Sequence, residues 1–171
     1  MARMSAASSA RAYMNTSDQG KDTLSRDQPP ARQIARRLID TCRSERAGGE
    51  TDARPAAAAC DHLYRELSRW VGSDGCNALF TRALAQARTE YPALERIQLH
   101  ARWEPYIDGV AETIMAQGDG ATAEALESML AHLIELLGRL IGDDMAMKLI
   151  ERSLAASEHG DATYDGRREE A

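Results

Sequence analysis

Aromatic side chains are scarce in this chain: one Phe, two Trp and five Tyr among 171 residues, against an abundance of alanine and leucine. Sheets favour aromatic and β-branched residues, so this composition points to helix. Cysteine is sparse as well. Cys42, Cys60 and Cys76 form neither a C-x-x-C pair nor an even set. That argues against a disulfide framework and reads as small buried hydrophobes in a reducing compartment. No apolar run reaches the length of a membrane span, since the longest candidate, Leu126–Ile141, is broken by Glu127, Glu135 and Arg139. Nothing apolar follows the early arginines, so no secretory signal is read and a cytoplasmic location is expected.

Positive charge is the next shortage. The formal net charge is −6, and it is unevenly spread. Residues 1–47 hold nine Lys/Arg against five Asp/Glu, a net of +4; the remainder holds twelve against twenty-two, a net of −10. Phosphate binding needs a concentrated basic surface, so an acidic body argues against nucleic acid as a partner.

Catalytic signatures are also missing. No serine or cysteine has a histidine at a readable spacing, and no G-K-[S/T] loop occurs. Gly118-Asp119-Gly120-Ala121-Thr122-Ala123 has the loose form of a dinucleotide fingerprint, but a helix rather than a strand precedes it. A di-metal bundle needs Glu-x-x-His on two helices, and none of the four histidines has a glutamate three positions before it. No metal or cofactor is expected, and the missing motifs disfavour an enzyme without excluding one, since triads are assembled in space.

What the chain does have is helical rhythm. Leu126, Met129, Leu130, Leu133, Ile134, Leu137, Leu140 and Ile141 recur at three- and four-residue steps, with Glu127, His132, Glu135 and Arg139 on the other face. Gly142 suits a left-handed stop, and Asp143 is placed to cap the next helix. Met145, Leu149, Ile150 and Leu154 continue the rhythm, which makes a helical hairpin of residues 121–156.

The hairpin occurs twice, seventy residues apart. His62 and Leu63 fall on His132 and Leu133, Leu67 on Leu137, Arg69 on Arg139 and Gly72 on Gly142. Past the turn, Asp74 falls on Asp144, Leu79 on Leu149, Arg82 on Arg152 and Leu84 on Leu154. Shared helical habit accounts for the leucines, glycines and aspartates. It does not account for the histidines or the arginine pairs, which favour an internal duplication.

The expected fold is therefore all-α: an antiparallel bundle of five to six helices built around two similar hairpins. Residues 29–157 form the single domain, between a disordered tail at 1–28 and a flexible tail at 158–171. Ile34, Ala35, Leu38, Ile39 and Cys42 make a stripe on a first helix that also carries Arg32, Arg36, Arg37, Arg43 and Arg46. Such a helix either packs on the acidic body of its own chain, the favoured reading, or binds an acidic surface elsewhere. Gly48 to Arg54 reads as a loop, with Pro55 opening the second helix and Ser73 or Asp74 capping the third. Ile97 to His100 alternates like a strand but has no evident partner, so a loop or short helix is expected, and Pro105 opens the next helix.

Four residues are candidate binding positions: His62, His132, Arg82 and Arg152. The histidines are either solvated polar-face residues or a symmetric pair lining a cleft, able to hold an anion or sense pH. Arg82 and Arg152 lie mid-helix, where they cover apolar surface or hold a carboxylate across the bundle. Arg69 and Arg139, in the last turn before each glycine, answer the helix dipole. The leading functional expectation is a non-enzymatic protein-interaction or regulatory module whose partner is another protein or a second copy in a homodimer. The alternative is a small-ligand-binding domain with an apolar pocket between the hairpins.

Overall fold

A computed structural model describes residues 30–44, 53–101 and 105–159. The expected tail 1–28, most of the loop 48–54 and the tail beyond 159 lie outside the described residues. The fold is all-α apart from one two-stranded ribbon: α1 (Pro30–Ser44), α2 (Ala53–Val71), α3 (Ser73–Glu90), a 3-10 turn (Pro92–Arg96), β1 (Gln98–Leu99), β2 (Ile107–Asp108), α4 (Val110–Gln117), α5 (Asp119–Ile141) and α6 (Asp143–His159).

Helix α5 is the centre. It packs against α1, α2, α3, α4 and α6. Leu126, Met129, Leu130, Leu133 and Leu137 are completely buried, and Ala131, Ile134 and Leu136 nearly so. A helix this apolar finds enough neighbours to cover more than one face.

The face expected to meet water is also engaged. Glu127 accepts from Arg36 Nε at 2.9 Å and lies 3.4 Å from Arg32 Nε. Glu90, at the end of α3, accepts from Ser128 Oγ and His132 Nε2, both at 3.1 Å. The basic first helix thus packs on its own acidic bundle, with Ala31, Ala35, Leu38, Ile39 and Cys42 buried against it.

The two hairpins turn alike. Gly72 has φ 77° and ψ 157°, Gly142 φ 86° and ψ 147°, conformations that a β-carbon would strain. In each, the next helix starts one residue later, and the first bond of that helix runs from Cys76 N–H to Gly72 O or from Ala146 N–H to Gly142 O, both 3.0 Å. From Val71 to Phe80 and from Ile141 to Ile150, burial follows the same order position by position. Leu67 and Leu137 are both buried, and Leu79 and Leu149 both half-buried. The arginines break the likeness: Arg152 lies over the Trp70 ring at 4.7 Å, whereas Arg82 simply projects from the surface.

Asp119 Oδ1 accepts from Ala53 N–H at 2.8 Å, so α2 and α5 start side by side. His62 reaches Ser153, and Trp70 lines a crevice with Leu149, which sets α2 antiparallel to α6. Both glycine turns therefore lie at one end of the bundle.

Four local expectations are corrected. Helix α2 begins at Ala53, two residues before Pro55, so Arg54 belongs to the helix and not to the loop. Neither Ser73 nor Asp74 caps α3, because the N-cap is Gly72 and makes no side-chain bond; the acids at the starts of α3 and α6 act instead as charge in the first turn. Residues 98–99 are a strand after all. Gln98 pairs with Asp108 and Leu99 with Ile107, and His100 N–H donates to Tyr106 O at 2.8 Å. The partner lies in the segment expected to open a helix at Pro105, and α4 begins only at Val110.

Leu133→Ala or Leu137→Ala should cost about 2–5 kcal/mol, the range for a deleted core leucine. Glu127→Ala removes ion pairs at a solvent edge and should cost about 1 kcal/mol or less. Equilibrium urea unfolding ranks the three variants. A larger loss for Glu127→Ala would mean that the charged clasp, not the apolar core, holds α5 in place.

Candidate functional site

A cleft of about 630 Å³ lies between the first hairpin and the β2–α4 segment. One wall is a stripe of α2 carrying Arg54, Ala57, Ala58, Asp61, His62 and Arg65. These positions recur at helical spacing on the side of α2 turned away from Ala56, Ala59, Leu63 and Leu67. The facing wall is apolar: Ile107, Val110, Ala111, Ile114 and Met115, with Cys42 of α1 at one edge.

An aromatic clasp sets the distance between the walls. Tyr106 stacks on Tyr64 with centroids 3.6 Å apart, and Phe80 meets both edge-on at 5.1 and 5.8 Å. The Tyr106 hydroxyl donates to Asn77 Oδ1 at 3.1 Å, and the Tyr64 hydroxyl to Ala101 O at 3.0 Å. Burial, aided by the neighbouring Cys76 thiol, pushes the Tyr106 hydroxyl well above the usual phenol range, so it stays a donor. Next to it, Ile107 N–H donates to Asp61 Oδ1 at 3.1 Å, which pins β2 to α2. From the far side, Arg88 donates to Leu94 O at 3.0 Å and to Ile97 O at 2.7 Å, fixing the chain that leads into β1.

The four sequence candidates divide between two seams. His62 donates from Nε2 to Ser153 O at 2.8 Å across the α2–α6 seam and also lines the large cleft. Arg152, next to Ser153, covers Trp70 in a smaller crevice of about 320 Å³ on the same seam. That crevice, with Leu67, Trp70 and Leu149 beside Glu66, Arg69 and Arg152, is the space between the hairpins. The larger cleft is elsewhere. His132 lies on the other seam, bound to Glu90, with Nδ1 buried and 3.8 Å from Glu135 Oε2. Arg82, on α3, is exposed. The histidines each cross to the opposite hairpin, but they do not line one cleft together.

Sequence reasoning missed Arg54, Asp61, Arg65 and the α4 wall. The signal was faint, because Arg54, Asp61 and Arg65 read as an ordinary solvated stripe of α2. Thiol chemistry has little support here. Burial raises the Cys60 thiol well above its ordinary value and the Cys76 thiol to about 11, which keeps both protonated. Among the described residues no three His, Cys, Asp or Glu side chains converge to hold a metal ion, and no helix is long and apolar enough to cross a membrane.

The fold and these sites define an all-α helical bundle with a lateral cleft. Comparison with protein-family models, with curated proteins and with solved structures finds no match to this chain.

Tyr106→Phe removes one hydrogen bond and keeps the stack, an expected loss of about 0.5–1.5 kcal/mol. Tyr106→Ala removes the stacked ring itself, an expected loss of about 3–5 kcal/mol. Urea titration of the two variants separates the contributions, and equal losses would show that the hydroxyl, not the ring, fastens β2 to α2.

Proposed function

We propose that this chain is a non-enzymatic protein-interaction or regulatory module, built from two copies of one helical hairpin, that pairs with a second copy of itself through the turn end of the bundle. The observation that carries this reading is the exposure of large apolar side chains at that end. Trp70 is 56% exposed, Leu140 65% and Met145 52%, with Val71 and Ile141 half-buried beside them. Both hairpins turn there, so the patch is fed from both. Trp70 and Leu140 occupy corresponding positions in the two hairpins, one residue before Val71 and Ile141. Tryptophan in such a place is a frequent anchor of protein interfaces.

The charged rim favours self-pairing. Exposed Arg69 and Arg139 end the helices that enter the turns, and exposed Asp74, Asp143 and Asp144 begin those that leave. A patch bordered by both signs can meet its own copy about a two-fold axis with opposite charges facing. The Arg152 guanidinium over the Trp70 ring also orients the indole without removing it from solvent.

Sedimentation equilibrium tests the reading. The full chain is expected at twice its 18.7 kDa mass. The triple variant Trp70→Ser, Leu140→Ser, Met145→Ser should be a monomer with unchanged helical circular dichroism, because all three side chains lie outside the core. A wild-type chain that stays monomeric at every concentration, or a triple variant that still dimerises, would sink the proposal.

A further inference from the structure

The cleft beside α2 has a chemistry that the turn-end patch does not share, and we infer that it is a binding site for a small amphipathic anion: an apolar body carrying one carboxylate. The walls divide the two tasks. Ile107, Val110, Ala111, Ile114 and Met115 present only apolar surface, and Met115, at 79% exposed, extends that surface to the mouth. A soluble chain leaves such a methionine at a concave rim where a flexible apolar contact is wanted. Across from it, Arg54 and Arg65 stand on the α2 stripe with Asp61 and His62 between them.

The charge of this wall runs against that of the molecule. Two arginines face one carboxylate there, whereas the chain as a whole carries a formal −6. Asp61 already accepts from Ile107 N–H, a bond that holds the cleft together. Each guanidinium has five N–H donors in a fixed fork, so it can keep a protein neighbour and still receive a ligand carboxylate. In an acidic protein a locally positive, partly apolar recess selects anions that bring an apolar body, while simple anions gain too little there. The volume of about 630 Å³ lies in the range of small-molecule sites. The aromatic clasp and the Asp61 bond make the recess largely pre-formed, which lowers the ordering cost of binding.

The test uses the full chain and three probes: decanoate, decyltrimethylammonium with the same tail length and opposite charge, and acetate with the charge and no tail. Isothermal titration calorimetry is expected to show saturable, one-to-one binding of decanoate and none of the other two. Two variants locate the site. Ala111→Trp fills the cleft from an exposed position on α4 and should abolish decanoate binding. Arg54→Glu with Arg65→Glu reverses the charged wall and should weaken it by about tenfold or more, the effect of losing charge-assisted hydrogen bonds. Thermal melts confirm that both variants are folded, and decanoate should raise the wild-type midpoint but not that of Ala111→Trp. Equal binding of decanoate and the ammonium would overturn the anion preference. Unchanged decanoate binding by Ala111→Trp would place the site elsewhere. Co-sedimentation with phosphatidylglycerol vesicles is the companion measurement, and binding there without any to free decanoate would replace the ligand site with a membrane-facing surface. None of these outcomes depends on the dimer, which the serine variants of the turn end read separately.

Discussion

Burial of α5 on several sides is the constraint from which the other features of the bundle follow. Five helices share contact with it, and most of its apolar residues are fully withdrawn from water. A helix covered this widely draws several of its polar residues into the seams between helices. Each must find a partner in the protein or carry a desolvation cost. Glu127 finds Arg32 and Arg36, while Ser128 and His132 find Glu90. The split between a basic N-terminal third and an acidic remainder is thereby reconciled, in part, within the molecule. Arg32 and Arg36 of α1, which look like a handle for an outside partner, are clamps on α5.

Parallel hairpins give the bundle two unlike regions. Because α2 and α5 start together at the Asp119–Ala53 bond, their glycine turns end together, and apolar side chains from both gather at one end. The cleft occupies the earlier part of α2, opposite β2 and α4. Between the regions runs the α2–α6 seam, with His62 and Ser153 toward the cleft and Trp70 and Arg152 toward the turns. One helix therefore serves the core with one face and both surface regions with another. That division is open to α2 because its alanines, Ala56, Ala57, Ala58 and Ala59, allow close packing on either side.

Most helices, and the two glycine turns between them, were legible residue by residue. Leucine spacing over 126–141 gave the core face of α5, and Gly72 and Gly142 marked turns that the backbone makes at positive φ. The all-α class and the burial of Cys60 and Cys76 followed from the same periodicity. The β1–β2 pair was not legible. Gln98 and Leu99 alternate correctly, but a strand is defined by its partner, and Ile107–Asp108 is too short to declare itself. Nor was the cleft, since Arg54, Asp61 and Arg65 look like any solvated stripe until a second wall stands opposite.

By itself the sequence determined what depends on neighbours along the chain: helical period, glycine stops, and which leucines avoid water. These are local because the helix closes its own hydrogen bonds within four residues, and because a missing β-carbon acts at its own position. The tertiary structure alone decided which polar residues meet. Glu127 and Arg36 are ninety-one residues apart, and so are His62 and Ser153. Each pair forms because apolar faces elsewhere bring two helices together, and the charged groups then take the partners that this packing leaves within reach. No local pattern records that choice, because its driving force is the area buried by the whole bundle and not the preference of either residue.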